Sequence, residues 1–380
     1  MKLYSELARY QGNEPLYEAV EMAITALLGG VPMHLHAQGL RGTGKTTIFR
    51  AAAQIMPPII RIKGCLFNCD PAHPHCPEHR HLSAAQIGAI GVEEVPMPFL
   101  EISHSAKIGT VVGSVDLAKI TATDKPEAAL LPGIIPQAHR GVIFIDEINR
   151  LADTAPEITD ILLDVMGTKP GRVQIEETGL AVLKLPVQVS IWAASNPDEE
   201  PGPLSDVRRQ LSDRFDLAID LGRPANVDVV ANILRQHRQV AADGLCSVRY
   251  SRENVEISQK LQKAAQVLPD LLVPEPLELL LAQIYVKFGV ESLRAVEAWQ
   301  QAAQARAAIQ QRYRIETSDL LAVLPGVLGH RVEPETLAKI GEYIRQQSVG
   351  QSEVDTLPTR RARRLTELAL EEVVATEGNL

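Results

Sequence analysis

The chain has 380 residues, which is enough for two or more domains with buried cores. Its formal net charge of −9 and its aromatic content of 4% argue against a basic or base-stacking surface, so we expect no nucleic-acid partner. No apolar run approaches the ~20 residues of a membrane-spanning helix, and the first residues lack the apolar core of a signal peptide. We therefore expect a cytoplasmic protein that does not contact the membrane.

The N-terminal segment predicts a helix, a strand, a glycine-rich loop and a second helix. Apolar residues recur at helical spacing in "NEPLYEAVEMAITALLGG", and Gly29-Gly30 ends that helix. "VPMHLHAQ" is typical of a short strand, and "TTIFRAAAQI" is typical of a helix. The glycine-rich stretch "GLRGTGKTT" connects the two.

Two more buried strands are predicted farther along the chain. They are "GVIFID" and "VSIWAAS", and the segment "EINRLADTAPEITDILLDVM" between them indicates helix. Alternating apolar and polar residues on both sides of Thr178-Gly179 predict a hairpin. Strands that alternate with helices favour an α/β fold with a parallel sheet covered by helices on both faces.

The character of the sequence changes after about residue 225. From there the chain is rich in Leu, Ala and Gln at helical spacing, most clearly in "SLRAVEAWQQAAQARAAIQQRYR". We predict an α/β domain over 1–224, a helical domain over 225–345 and a tail over 346–380. The basic run "TRRARR" in the tail is either a solvated helix face or a contact for an acidic partner.

The glycine-rich loop carries a complete nucleotide-binding pattern, G-x4-G-K-[ST], between a strand and a helix. Its glycines let backbone N–H groups turn toward phosphates, and the next helix presents its positive end to them. The pattern predicts that Lys45 contacts the β- and γ-phosphates of ATP and that the Thr46 hydroxyl holds Mg²⁺. The expected nucleotide-binding residues of the loop are Gly39, Arg41, Gly42, Thr43, Gly44, Lys45 and Thr46.

Polar residues at the ends of the two later strands complete this predicted site. Asp146 and Glu147 follow "GVIFI", at the carboxyl end where open α/β sheets bind ligands. Asp146 suits the Mg²⁺ shell, and Glu147 is the candidate base for the attacking water; the alternative is that both merely cap the next helix. Asn196 follows "VSIWAAS" and either holds the same water or begins the turn at Pro197.

"RRQLSDRFDLAIDL" places an arginine at the end of a helix, just before a strand. Such an arginine can point out of its own subunit toward the γ-phosphate bound by a neighbour. Arg214 is the first candidate, with Arg208 and Arg209 as competitors. The alternative is a surface ion pair of Arg214 with Asp213 or Asp216.

The stretch "GCLFNCDPAHPHCPEHRH" concentrates soft metal ligands. Thiolates and imidazoles at these spacings can enclose Zn²⁺, or hold an iron–sulfur cluster if a fourth ligand comes from elsewhere. The spacing C-x3-C-x6-C-x2-H is not a standard zinc finger, so unligated thiols and solvated histidines remain the alternative. A closed site of three cysteines and one histidine would use Cys65, Cys69, Cys76 and His79, with His73, His75 and His81 nearby.

Several motifs in a fixed order resemble a known family. They are "RGTGKTT", "FNCDP", "VVGSVDL", "PGIIPQAHRGVIFIDEINRL", "ASNPDE", "RRQLSDRFDL", "ESLRA" and "VLGHRV". Together they resemble AAA+ ATPases of the magnesium chelatase small-subunit group (subunit I), close to the MoxR-like ATPases. The resemblance covers roughly residues 1–335.

The resemblance implies a hexamer-like homo-oligomeric ring, built from an α/β P-loop core with β-hairpin inserts and a helical C-terminal lid. It implies that Arg214 is the arginine finger and that Arg294 is the second sensor arginine. It also implies inserted hairpins near 99–118 and 173–186. The expected partners are a subunit with an integrin-like domain and a tetrapyrrole-binding chelatase subunit.

Three functional hypotheses follow. The first is a motor ATPase that drives metal insertion into a tetrapyrrole by remodelling partner subunits. The second is a MoxR-like ATPase that remodels another protein with an integrin-domain partner. The third is a nucleotide-dependent switch with little hydrolysis, and the intact set of Lys45, Asp146, Glu147, Asn196 and Arg214 argues against it.

Overall fold

The computed structural model describes residues 2–115, 130–175, 182–242 and 251–351. The strands are β1 (Leu35–Gly39), β2 (Ile59–Ile62), β3 (Val92–Val95), β4 (Phe99–Glu101), β5 (Gly113–Val115), β6 (Leu130–Pro132), β7 (Gly141–Ile145), β8 (Gly171–Ile175), β9 (Leu183–Val187), β10 (Val189–Ser195) and β11 (Leu217–Leu221).

The helices before residue 225 accompany these strands. They are α1 (Glu14–Leu28), α2 (Lys45–Ala52), α3 (Ala84–Ile90), α4 (Ile108–Val112), α5 (Ile134–Gln137), α6 (Ile148–Thr154), α7 (Pro156–Val165), α8 (Leu204–Val207) and α9 (Arg209–Ser212). The later helices are α10 (Val227–Ala242), α11 (Arg252–Val267), α12 (Glu275–Lys287), α13 (Leu293–Ile309), α14 (Thr317–Leu328) and α15 (Pro334–Gln351).

Five strands form one parallel sheet in the order β11-β1-β10-β7-β4. This confirms the predicted α/β fold with a parallel sheet. Because all five strands run in the same direction, their carboxyl ends lie along one edge. The glycine-rich loop follows β1 at that edge, and the acidic pair follows β7.

Both faces of the sheet are buried. Phe144 of β7 and Trp192 of β10 face one core, where each packs against Phe49 of α2. Ile143 and Ile191 face the opposite core. Alternate residues of each strand therefore bury into different cores, which is why β7 and β10 are continuous apolar runs in the sequence.

The residues after 225 are helical, as the sequence predicts. α13 packs against α1 and α14, and side chains from all three helices belong to one core. The predicted helical stretch 292–314 is helix from Leu293 to Ile309. The domain boundary near 225 stays a prediction, and residues 352–380, which contain "TRRARR", lie outside the described ranges.

Two antiparallel pairs extend from the core. β8 pairs with β9, as expected for a hairpin near 173–186, while Thr178 and Gly179 lie outside the described residues. The expectation of an inserted hairpin over 99–118 is wrong at its start, because 99–101 is the edge strand of the central sheet. Phe99 packs against Phe144 and Trp192 there. The hairpin pairing is instead between β5 and β6.

Within the described ranges, no helix is both long enough and apolar enough to cross a bilayer.

A buried carboxylate holds the start of α14. Asp319 is fully buried and accepts hydrogen bonds from the guanidinium groups of Arg306 and Arg312, each at 2.6 Å. It also accepts one from the backbone N–H of Glu316 at 2.9 Å. α14 in turn packs against β11 beside the glycine-rich loop, so this cluster connects the helical region to the sheet.

Asp319→Ala should destabilise the protein by about 3 kcal/mol, because it leaves two arginines without their shared anion in a poorly solvated place. Asp319→Asn should cost less, because the amide oxygen still accepts hydrogen bonds. Urea unfolding followed by circular dichroism measures both. Glu335→Ala, at an exposed position of α15, is the matched control and should shift stability by no more than ~0.5 kcal/mol. An Asp319→Ala variant as stable as this control would contradict the assignment.

Candidate active site

The glycine-rich loop is shaped by three glycines with positive φ. Gly39 has φ of +146°, and a Cβ there would lie 2.7 Å from the carbonyl oxygen of Leu221 in the neighbouring strand. Gly42 and Gly44 have φ of +75° and +92°, and no atom lies within 4 Å of the point that a Cβ would occupy at either residue. The first glycine is therefore required by close packing, and the other two by backbone conformation beside an open cavity.

Lys45 begins α2 and turns back into the loop. Its Nζ donates to the carbonyl oxygen of Leu40 at 3.0 Å and to Oδ1 of Asn196 at 2.7 Å. The side chain is buried, and that burial lowers the pKa of Lys45. Lys45 comes after β1 and the glycine-rich loop, and Asn196 comes directly after β10. The structure therefore brings together two residues that the sequence predicts for one site.

Thr46 and Asp146 meet across the same edge of the sheet. The Thr46 hydroxyl donates to the Asp146 carboxylate, with distances of 3.1 and 3.2 Å to its two oxygens. Glu147 follows with φ of +51°, in the left-handed region, and forms an ion pair with Arg150 at 3.0 Å. Its side chain is about one-third exposed, at 34%.

These residues surround a cavity of about 440 Å³, a size typical of small-molecule sites. Arg41 lies at its rim, where it forms an ion pair with Glu199. The expected residues in the lining are Arg41, Gly42, Thr43, Gly44, Lys45, Thr46, Asp146, Glu147 and Asn196.

The donor set at this edge fits a magnesium nucleotide. The Thr46 hydroxyl and the Asp146 carboxylate are the oxygen ligands that Mg²⁺ prefers, and they already lie within 3.2 Å of each other. The space beside Gly42 and Gly44 would be narrowed by a Cβ at either position. Lys45 supplies a positive charge at the same point. ATP and Mg²⁺ are therefore compatible with the residues present.

The N-terminal segment contributes a wall of the cavity that the sequence analysis does not predict. Tyr10, Asn13 and Tyr17 line it, and Pro224 and Ile233 lie at the same opening. The aromatic residues of "YQGNEPLY" are a signal that could have indicated this wall. They stand at the start of α1, where the apolar pattern by itself indicates only a helix.

A neutral histidine supports the end of β10. Nε2 of His36 lies 2.8 Å from the Ser195 hydroxyl, directly before Asn196. Burial lowers the pKa of His36 to about 4, and the nearby charge of Lys45 acts in the same direction. His36 is therefore uncharged at neutral pH and does not repel Lys45.

The candidate arginine-finger residues have different environments. Arg208 pairs with Asp160, and Arg209 pairs with Glu291. Among the described residues, Arg214 forms no ion pair. Its two expected acidic partners are engaged by other cations: Arg331 binds Asp213 and Lys169 binds Asp216.

Arg294 lies at a second cavity, whose lining contains none of the residues of the glycine-rich loop. Arg294 lines this cavity of about 390 Å³ together with Lys169 and Asp216. Its Nη2 donates to the carbonyl oxygen of Gly167 at 2.8 Å, and its buried Nη1 has no hydrogen-bond partner among the described residues. Burial, and then the charge of Arg294, lower the pKa of Arg214. Neither arginine lines the cavity at the loop.

The cysteine–histidine stretch folds into one buried group. One ligand atom each from Cys65, Cys69, Cys76 and His79 all lie within 4.8 Å of one another. The Cys76 sulfur is 3.0 Å from Nδ1 of His79 and 4.0 Å from the Cys65 sulfur. The structure thus brings together the four residues that the sequence predicts for a closed site, at a place separate from the cavity at the loop.

Comparison with known proteins identifies the family. The magnesium-chelatase 38 kDa subunit of Acidiphilium rubrum is 32% identical over 89% of this chain and 93% of that protein. The chain belongs to the magnesium-chelatase ATPase-subunit family. The corresponding 38 kDa subunit of Cereibacter sphaeroides is 30% identical over 88% of this chain and 94% of that protein. The resemblance seen in the sequence motifs is therefore confirmed.

Two further comparisons agree with the fold. The family model described as the AAA lid domain matches residues 278–348. A crystal structure from Cytophaga hutchinsonii, of a protein described there as an ATPase, matches with a TM-score of 0.54 at 16% identity, covering 90% of this chain and 91% of that one. At that identity the match supports the fold alone. As a family member the chain is an AAA+ ATPase, and the family implies ATP and Mg²⁺ as its nucleotide and metal ion.

Proposed function

We propose that this protein is the motor subunit of a chelatase, and that it couples ATP hydrolysis to remodelling of partner subunits that insert a metal ion into a tetrapyrrole. The observation that carries this proposal is the similarity over nearly the whole length of two magnesium-chelatase 38 kDa subunits. The complete set of polar groups around the loop cavity supports the ATPase half of the proposal.

In this proposal the loop binds the phosphates of ATP. Lys45 exchanges its bonds to Asn196 and Leu40 for the β- and γ-phosphate oxygens, and the backbone N–H groups of Gly42 to Thr46 surround the same oxygens. Thr46 and Asp146 would hold Mg²⁺, which would neutralise phosphate charge. Tyr10 and Tyr17 offer an apolar wall for the adenine ring of ATP.

Glu147 is the proposed general base. Its left-handed backbone turns the side chain out of the line of β7 at the cavity edge, and its partial exposure lets it reach a water molecule. Asn196, which Lys45 would release on contacting phosphate, lines the same cavity and could then orient that water relative to the γ-phosphate. The ion pair with Arg150 fixes the direction of the Glu147 carboxylate, which a positioned base requires.

Arg214 and Arg294 are proposed to act on the ATP bound by a neighbouring subunit. Neither lines the loop cavity of its own chain, and Arg294, at the second cavity, has a buried nitrogen without a partner among the described residues. Arg214 is the proposed finger, because Arg208 and Arg209 are engaged by Asp160 and Glu291. An arginine supplied in this way requires a subunit interface, and the proposed hexamer-like homo-oligomeric ring provides one at every ATP site.

The proposed partners follow from the chelatase assignment. They are a subunit with an integrin-like domain, which receives the motion of the ring, and a tetrapyrrole-binding subunit, which performs the insertion. The proposed location is the cytoplasm. The three buried cysteines that the structure describes form no disulfide, which suits a reducing compartment.

The cysteine–histidine cluster is proposed to be a separate site for zinc or an iron–sulfur cluster, without a part in ATP chemistry. None of Cys65, Cys69, Cys76 and His79 lines the loop cavity.

The function is tested by reconstitution. The purified protein is combined with its cognate integrin-domain and tetrapyrrole-binding subunits, a porphyrin, Mg²⁺ and ATP, and the metalloporphyrin is followed by its fluorescence. We expect product only with hydrolysable ATP, and none when Lys45→Ala replaces the wild-type chain. ATP-dependent remodelling of the integrin-domain partner without metal insertion would instead favour the MoxR-like function.

Two substitutions should stop hydrolysis for different reasons. Lys45→Ala removes a charge that contacts phosphate, so nucleotide affinity should fall by about tenfold or more. Glu147→Gln keeps the shape but removes the base, so ATP should bind normally while kcat falls by roughly 10²–10⁴. Binding of a fluorescent ATP analogue and phosphate release measure the two effects.

The matched control for the second variant is Glu157→Gln, at an exposed position of α7. It should hydrolyse ATP at the wild-type rate. A Glu147→Gln variant that also does so would rule out Glu147 as the base.

A further inference from the structure

The loop that follows β2 contains no helix or strand from residue 63 to residue 83. Such long irregular loops need a specific source of order, because they lack the backbone ladders of regular structure. Here the cysteines at positions 65, 69 and 76 are at most 2% exposed, and His79 is 8% exposed. The loop therefore closes around its thiols, although it runs along the surface of the molecule.

The arrangement of the four ligand atoms matches a single tetrahedral ion. A tetrahedral zinc site with Zn–S bonds of ~2.3 Å places its sulfur atoms ~3.8 Å apart. The sulfur atoms of Cys65 and Cys76 lie 4.0 Å apart, and all four ligand atoms lie within 4.8 Å of one another. An iron–sulfur cluster would place several iron atoms and sulfides between these ligands and would spread them farther apart.

Hydrogen-bonding groups surround the sulfur of Cys69. The Cys69 sulfur accepts hydrogen bonds from the backbone N–H of His75 at 3.4 Å and of Cys76 at 3.3 Å. Nδ1 of His75 lies 3.3 Å from the same sulfur, and the His75 ring packs against the ring of His139 with centroids 3.9 Å apart and planes tilted by 32°. Such contacts orient metal ligands and balance their charge, as outer contacts do in characterised metal sites.

The loop is attached to the core on the side where β7 begins. Ile62 of β2 donates its backbone N–H to the Cys69 carbonyl at 3.1 Å. The Asn68 side chain donates to the Gln137 carbonyl at 2.6 Å, and Arg140 pairs with Asp70 at 3.5 Å. Gln137 and Arg140 precede Gly141, the first residue of β7, whereas Asp146 follows its last residue. The cysteine–histidine cluster and the loop cavity thus lie at opposite ends of β7.

We propose that Cys65, Cys69, Cys76 and His79 bind one zinc ion in a closed structural site. Three thiolates and the Nδ1 atom of His79 fill all four positions, so no position is left for a water or a substrate. The ion fixes the loop over 63–83 and, through Asn68 and Asp70, the turn that precedes β7. Binding releases the thiol protons to solvent and involves no electron transfer.

The test starts with the metal content of the full-length protein purified without added metal. Elemental analysis should find about one zinc per chain in a colourless protein. Exchange for Co²⁺ should produce the intense near-ultraviolet thiolate band and the visible bands of tetrahedral cobalt. A brown protein that contains iron, or a protein without metal when it is purified anaerobically, would overturn the proposal.

Substitutions identify the ligands. Cys65→Ser and Cys76→Ser should each lose most of the zinc, whereas His73→Ala and His81→Ala should retain it, because both histidines are exposed and lie outside the cluster. Retention of full zinc by both serine variants, or loss of zinc in the two histidine controls, would contradict the ligand assignment. Detection of a Cys65–Cys76 disulfide by mass spectrometry of the purified protein would also contradict it.

A measurement on the wild-type chain covers the case in which serine variants fail to fold. Removal of zinc with a chelator should increase proteolytic cleavage between residues 63 and 83, and re-addition of Zn²⁺ should reverse this. Unchanged cleavage after verified zinc removal would overturn the structural role. The zinc content is independent of the chelatase assay, so failure of either proposal leaves the other open to its own test.

Discussion

The parallel register of β1, β10 and β7 is the constraint on which the rest of the molecule depends. Each strand delivers one element of the nucleotide site to the same edge of the sheet: the glycine-rich loop, Asn196 and the Asp146–Glu147 pair. The hydrogen bonds of Thr46 with Asp146 and of Lys45 with Asn196 exist only because these strands are neighbours in this order. Burial of Phe144 and Trp192 on one face, and of Ile143 and Ile191 on the other, holds the register.

The position of the two arginines determines how such a site works. Arg214 and Arg294 lie together and outside the loop cavity of their own chain. The charges of these two arginines are therefore missing from the lining of the loop cavity in their own subunit, and we infer that assembly brings them to the nucleotide site of a neighbour. Under the proposed function, hydrolysis would depend on the interface, as a motor requires if ATP turnover is to produce movement between subunits.

Much of this site could be predicted from the sequence, since local chemistry determines it. Lys45, Thr46, Asp146 and Asn196 each come shortly after a buried strand, and parallel strands end at one edge. The tyrosines at positions 10 and 17 could not be predicted in this way, because their role depends on how α1 packs against a loop that follows it. The edge strand β4 at 99–101 could not be predicted either. Only the packing of its three residues against aromatic neighbours in the folded protein identifies it as a strand.

The composition of the cysteine–histidine stretch suggests a metal site, but the sequence alone does not decide between a metal site and unligated thiols. Its spacing fits no standard finger, and only the fold shows that Cys65 and His79 approach each other while His73 and His81 face solvent. The sequence leaves the ion-pair partners of Arg214 undecided for the same reason. Its expected partners, Asp213 and Asp216, are engaged by Arg331 and Lys169, which come from distant parts of the chain.

The central claim is that one catalytic site is shared by two subunits, and mixing two inactive variants tests it most directly. Arg214→Ala keeps an intact loop, and Lys45→Ala keeps an intact finger, so some interfaces in a mixed ring contain one complete site. ATPase activity of the mixture should exceed the sum of the separate variants, as expected for a finger worth roughly 10³–10⁵ in rate in measured cases. No recovery, when both variants form rings of normal size together, would contradict the account.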